Sequence, residues 1–196
     1  MKDIVIIGAG GIGREVAWII EEINEVKPTW NIVGFVDENS EMHGKVVNRY
    51  KVLGGLDDLD KLELKPYVVV SIANCSVKRD IVTRLEGRFD FATIVYPTVK
   101  ISEFTEIGQG TIIYPGVILT VNTKIGNHVI ISGNCGVGHD TVIGDYSSVL
   151  WGSNFSGYDV VGEACFIGVG TSVIQGISIE SEGRVDAATV VSENIM

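Results

Sequence analysis

The chain is short of cysteine, of histidine, of basic charge and of long apolar runs, and each shortage removes a class of protein. Among its 196 residues there are three cysteines and three histidines. Cys75, Cys135 and Cys165 form no CxxC or zinc-finger spacing, so neither a disulfide framework nor a structural zinc site is expected. They read as reduced packing residues. Lys and Arg number 15 against 25 Asp and Glu, a formal net charge of −10. That balance argues against nucleic acid or an anionic membrane as partner, although backbone N–H groups can still hold a phosphate locally. The first apolar run, Ile4-Val5-Ile6-Ile7, breaks at once into glycines and is too short for a signal peptide or a membrane span. The chain therefore reads as cytoplasmic, with no membrane insertion.

What is abundant is a repeat. Taking every sixth residue gives Ile101, Ile107, Ile113, Leu119, Ile125, Ile131, Val137, Ile143, Val149, Phe155, Val161, Ile167, Val173, Ile179, Val185 and Val191, all apolar. A helix would repeat at three and four residues and an ordinary strand at two. A strict period of six is the mark of a hexapeptide β-helix, each rung burying one large side chain. Gly108, Gly126, Gly144 and Gly162 add a period of eighteen, so three rungs make one coil of a three-sided prism. Residues eighteen apart then stack at roughly 4.8 Å. Small residues recur four after the rung, at Thr111, Thr123, Cys135, Thr141, Ser147, Ser153, Cys165 and Thr171, and fit a narrow interior. Glycine directly after the rung suits a tight corner.

Residues 1–96 have a different texture and read as a Rossmann-like α/β domain, with residues 97–196 forming the left-handed parallel β-helix. Buried strands are expected at Ile4–Ile7, Asn31–Val36, Tyr67–Ile72 and Phe91–Val95, with Tyr96-Pro97 as the hinge. Helices are expected after Ile12 and from Val77 to Glu86. Between the first strand and helix, Gly8, Gly10 and Gly13 reproduce GxGxxG, which lets backbone approach a diphosphate at a helix N-terminus. Asp37 ends the second strand, placed to accept a hydrogen bond from a ribose or base. The same residues would serve an NAD enzyme. A dehydrogenase, however, needs a substrate domain with catalytic groups of its own, and here a prism follows instead.

Two histidines lie on the repeat. His128 follows its rung residue by three and His139 by two, so they do not stack and no metal site is expected. His139 falls at a prism corner with Gly157 one coil above it and Val121 one coil below. An imidazole beside exposed backbone N–H provides what acyl transfer needs, a base for the incoming nucleophile and a donor for the oxyanion. Asp140 follows directly, and a carboxylate beside the imidazole supports it.

With these features assembled, the chain resembles the NeuD/PglD-type sugar acyltransferases. The resemblance rests on Ile6-Ile7-Gly8-Ala9-Gly10-Gly11-Ile12-Gly13-Arg14-Glu15, Gly34-Phe35-Val36-Asp37, Val52-Leu53-Gly54-Gly55, Lys78-Arg79, and Gly138-His139-Asp140-Thr141-Val142-Ile143-Gly144-Asp145. It implies a homotrimer with acetyl-CoA as co-substrate, lying along the groove between neighbouring prisms. It implies a sugar or nucleotide-sugar held by the N-terminal domain, and direct transfer to an amino or hydroxyl group without an acyl-enzyme. On this resemblance His139 is the catalytic base and Asp140 its support. Gly8, Gly10, Gly11, Ile12, Gly13 and Asp37, with a second loop at Ala73-Asn74, contact the acceptor. Ser148, Gly157 and Val169 fall to the acyl-CoA. Many members carry His where this chain has Ile12, and often a second His at Ser148. These departures keep open an alternative, a non-catalytic nucleotide-sugar-binding or scaffold member of the same fold.

Overall fold

The computed structural model describes residues 1–196. The N-terminal part is built on a three-stranded parallel sheet in the order β2-β1-β5, with β1 at Lys2–Ile7, β2 at Trp30–Val36 and β5 at Tyr67–Val70. Helix α1 (Gly11–Val26) joins β1 to β2, and α2 (Cys75–Leu85) follows β5. The stripe Val16, Ala17, Ile19 and Ile20 is buried, which gives α1 its apolar face. The polar stretch after β2 carries a small antiparallel hairpin, β3 (Val46–Val47) with β4 (Tyr50–Lys51).

The repeat folds as its period requires. Paired two-residue strands form three parallel faces of six, five and six strands, and each strand pairs with the one eighteen residues away. The first face carries Ile112–Ile113, Ile130–Ile131, Ser148–Val149 and Phe166–Ile167, and the second carries Gly136–Val137 and Asn154–Phe155. The third carries Lys124–Ile125 and Val142–Ile143. The small residues four after the rung are all buried. Most of their side chains bond carbonyls fifteen residues on, as Thr111 does to Gly126 at 2.7 Å and Ser153 to Gly168 at 2.8 Å, which satisfies polar atoms inside an otherwise apolar prism. Thr123 turns back to the Thr120 carbonyl, and the Thr141 hydroxyl is left without a partner.

Two expectations need correction. Phe91–Val95 is not a strand of the N-terminal sheet: Ile94–Val95 pairs with Ile112–Ile113 and is the first rung of the prism, ahead of Tyr96-Pro97. Val95 stands six before Ile101, so the ladder reaches it; only Phe91 bridges back, to Val68. The glycines directly after the rung are not the turn-makers either. The left-handed backbone falls three after the rung, at Asn122, Asn134, Asp140, Tyr146 and Tyr158 among others. Gly108 and Gly144 are needed because a Cβ there would lie 2.5 and 2.6 Å from the backbone of the next coil.

The N-terminal part packs on the first prism face, and apolar residues of α1, β1 and the prism share one core. Polar ties cross the same seam. The Tyr114 hydroxyl donates to Glu15 at 3.0 Å, and the Lys78 ammonium donates to the Ser148 hydroxyl at 2.8 Å and the Ser147 carbonyl at 3.1 Å. No helix is long and apolar enough to cross a membrane.

Candidate active site

His139 sits at the corner between the second and third faces. Its ring is edge-on to Tyr158, with centroids 5.0 Å apart, and its side chain is 44% exposed. Asp140 has φ of +57°, and this left-handed turn brings two adjacent side chains together where an extended strand would send them to opposite faces. His139 Nδ1 lies 2.9 Å from Asp140 Oδ2. The other carboxylate oxygen accepts from the Asn122 amide at 3.0 Å. His139 first and Asn122 second hold the Asp140 carboxyl below the usual range, against a smaller opposing effect of burial. An ionised carboxylate only accepts, so Nδ1 carries the hydrogen and Nε2 is left with its lone pair.

Gly157 stacks over His139, as the period of eighteen places it. A Cβ on Gly157 would stand 3.0 Å from both Cε1 and Nε2 of the imidazole, and its φ of +136° is unfavourable for any other residue. The glycine thus leaves the free nitrogen uncovered. Its own N–H is not the expected exposed donor: it bonds the buried Asp159 carboxylate at 3.1 Å, and Asp159 in turn accepts from the Ile177 N–H at 2.9 Å. Within one chain the corner therefore supplies a base but no oxyanion donor from Gly157.

The acceptor residues gather elsewhere. Gly10 and Gly11 are exposed, Ile12 is half-buried against the shared core, and α1 starts at Gly11 with no side-chain cap. The first-turn N–H groups are thus open to an anion. Gly13 is required for packing, because a Cβ there would run into the Gly8 carbonyl oxygen. Asp37 is tied to this loop: its carboxylate accepts from Ala9 N–H at 2.8 Å and from Asn39 N–H at 2.9 Å. One lone pair on each oxygen remains for a ligand. A cavity of about 120 Å³ beside it is lined by Gly8, Asp37, Glu38, Ile72, Val77 and Ile81. Asn74 caps α2 by accepting from Val77 N–H, and half-buried Ala73 precedes it. A groove of about 360 Å³ continues from Asn74 along the prism, between Arg79 on one side and Phe166 and Arg184 on the other.

The three residues assigned to acyl-CoA are not brought together in one chain. Gly157 is at the histidine corner, while Val169 is 48% exposed at the corner between the first and second faces. Ser148 is fully buried on the first face beneath Lys78. Sequence reasoning missed Asn122 and Tyr158 beside Asp140. Both lie eighteen residues from it, so the folding that found Gly157 would have found them too. Among His, Cys, Asp and Glu side chains, no group of three is disposed to hold a metal. His128 is buried against Phe91 and Tyr146.

Comparison with known proteins places the chain in a family. The family described as the PglD N-terminal domain matches residues 3–85. A GDP-perosamine N-acetyltransferase of Escherichia coli O157:H7 is 34% identical over 175 residues, which is 88% of this chain and 78% of that one. PerB from Caulobacter crescentus, solved in complex with CoA and GDP-perosamine, has a TM-score of 0.90 over 100% of this chain and 91% of its own, at 24% identity. That likeness speaks to the fold. WeeI from Acinetobacter baumannii AYE is 28% identical, with a TM-score of 0.77 over 98% of this chain and 97% of its own.

Proposed function

The chain belongs to the NeuD/PglD-type sugar acyltransferases, and on that premise we propose that it moves an acetyl group from acetyl-CoA directly to the amino group of a nucleotide-linked sugar. The observation that carries the mechanism is the His139–Asp140 pair at 2.9 Å, with Nε2 uncovered beneath Gly157. In this reading the sugar amine attacks the thioester carbon, and Nε2 takes the proton that the nitrogen sheds. The tetrahedral intermediate collapses with loss of the CoA thiolate, which takes up a proton to leave as the thiol. Asp140 holds the imidazole in the required tautomer and stabilises its cation. No acyl-enzyme is formed.

In this reading the N-terminal α/β part takes the acceptor and the prism, from its first rung at Ile94–Val95, the acyl donor. The open N-terminus of α1 suits the diphosphate, with Asp37 and the Ala73–Asn74 loop on the nucleoside side. Arg184 brings positive charge to the groove beside Asn74, where Arg79 is paired with Glu182. The relative from Escherichia coli O157:H7 is a GDP-perosamine N-acetyltransferase, and this supports a GDP-linked amino sugar as acceptor. Ile12 presents an apolar wall to the sugar.

Val169 and the His139 corner become parts of one acyl-CoA groove only if a second copy abuts the first, so the working unit in this reading is a homotrimer. The apolar residues Ile118, Val121, Tyr158 and Val160, exposed around the histidine corner, support it. Three free, buried thiols suit a reducing cytoplasm. The test is an acetyl-transfer assay with acetyl-CoA against GDP-, UDP- and CMP-linked amino sugars and their hydroxyl analogues. Acetylation of a GDP-linked amino sugar above the others is expected. Transfer to none of them would overturn the reading.

A further inference from the structure

Lys78 is the one cation of the chain with no exposed surface at all. Lysine is almost never fully buried without a partner, because leaving water penalises the charge heavily. Here both acceptors are uncharged, the Ser148 hydroxyl at 2.8 Å and the Ser147 carbonyl at 3.1 Å. Burial alone pushes its pKa down to about 7. The helix that bears it has no need of such a residue for packing, since Ile81, Val82 and Leu85 already fill the core on its inner side. The ammonium therefore serves a contact that an apolar side chain could not make.

The placement of that contact indicates what it serves. Lys78 stands in the first turn of α2, and its backbone N–H donates to the Asn74 carbonyl at 2.9 Å. The Ala73–Asn74 loop and the ammonium are thus the two ends of one helical turn. The acceptors belong to the prism, where Ser148 is fixed by pairing with Ile130 below and Phe166 above. The turn is stitched to the prism twice more, by Cys75 Sγ to the Cys165 carbonyl at 3.3 Å and by Arg79 to Glu182 at 2.9 Å. Of the three, the Arg79–Glu182 pair is exposed, whereas the Cys75 and Lys78 bonds are buried, and of those two only the Lys78 bond comes from an ammonium, unscreened by salt.

We propose that Lys78 is a positioning residue for acyl transfer, its ammonium holding the Ala73–Asn74 loop in register with the prism. The inference rests on the functional reading above, in which that loop holds the acceptor and the prism the donor. Direct transfer requires the amine and the thioester to meet within a narrow range of distance and angle. A turn free to slide on the prism would leave each substrate bound and the pair misaligned.

Lys78→Met keeps the stem and removes the ammonium, while Lys78→Arg keeps donors for both acceptors. Steady-state kinetics and hydrogen exchange over residues 73–78 read the result. Lys78→Met should lower kcat about tenfold with KM for acetyl-CoA unchanged, and should speed exchange in that segment. Lys78→Arg should restore part of both. Ser148→Ala should show a smaller version of each effect, not additive with Lys78→Met. If Lys78→Met fails to fold, Ser148→Ala carries the same two readouts. Wild-type kcat with wild-type exchange in these variants overturns the proposal. If the unaltered protein acetylates no nucleotide-linked amino sugar, the functional reading fails, and the exchange measurement still decides whether Lys78 holds the loop.

Discussion

Replacing Gly157 with alanine isolates the role of the uncovered imidazole nitrogen. The new Cβ would stand 3.0 Å from Cε1 and Nε2 of His139 and 3.1 Å from its carbonyl oxygen. Carbon contacts relax at roughly 3.5–4.0 Å, so the ring must yield by about half an ångström or turn away. The backbone adds strain of about 1–3 kcal/mol, because φ is +136°. Misplacement on the scale of 1 Å lowers an oriented reaction by roughly 10²-fold, so a loss of about 10- to 100-fold in kcat is expected. KM for the nucleotide-sugar should not change, since the acceptor loops lie on another part of the molecule. Gly87→Ala is the control: φ there is +73° and nothing lies within 4 Å of its Cβ, so it carries strain without touching the histidine. Thermal unfolding should show both variants destabilised, and acetyl-transfer kinetics should show only Gly157→Ala impaired. Wild-type kcat in Gly157→Ala, or an equal loss in Gly87→Ala, would refute the reasoning.

Other perturbations follow from the same geometry. Asp140→Asn removes the carboxylate that only accepts from Nδ1, so kcat should fall by roughly 10²-fold with little change in KM, read by steady-state assay. Gly13→Ala drives a Cβ into the Gly8 carbonyl and should destabilise the N-terminal domain by about 1–3 kcal/mol, abolishing thermal stabilisation by nucleotide-sugar. Lys78 falls from its ordinary 10.5 to about 7 on folding, with Cys75 and His128 as its titratable neighbours. The unfolded chain then binds the extra proton between those values, so stability should rise with pH across that window, by at most about 1.4 kcal/mol per unit, and be flat below it. Lys78→Met should lose that slope in unfolding measured against pH.

The repeat is legible because one large residue per rung leaves no freedom of register, and the same arithmetic alone puts Gly157 over His139. Turn chemistry was less legible. The left-handed position three after the rung is filled by glycine at Gly110, Gly116, Gly152, Gly170 and Gly176 but elsewhere by Asn, Asp, Tyr, Ala, Glu and even His, so no one residue type marks it, and the glycines directly after the rung answer to close contact between coils. Gly157 shows where a one-dimensional reading stops: its place follows from spacing, but the direction of its N–H depends on Asp159. Contacts across the seam were illegible for a similar reason. Spacing places Lys78 on a helix without saying which way it faces, and only the docking of α2 on the prism turns it inward onto Ser148. Asp37 directly follows β2, as its sequence position implies, and part of its acceptor capacity is used in holding the glycine loop.

The central claim is that His139 takes the proton from an amine attacking acetyl-CoA. The most direct measurement is single-turnover acetyl transfer to the GDP-linked amino sugar by His139→Asn, beside calorimetric affinities for both substrates. The account predicts both substrates bound with unaltered affinity and transfer slowed by roughly 10²- to 10⁴-fold. Transfer at the wild-type rate with both substrates bound would contradict it.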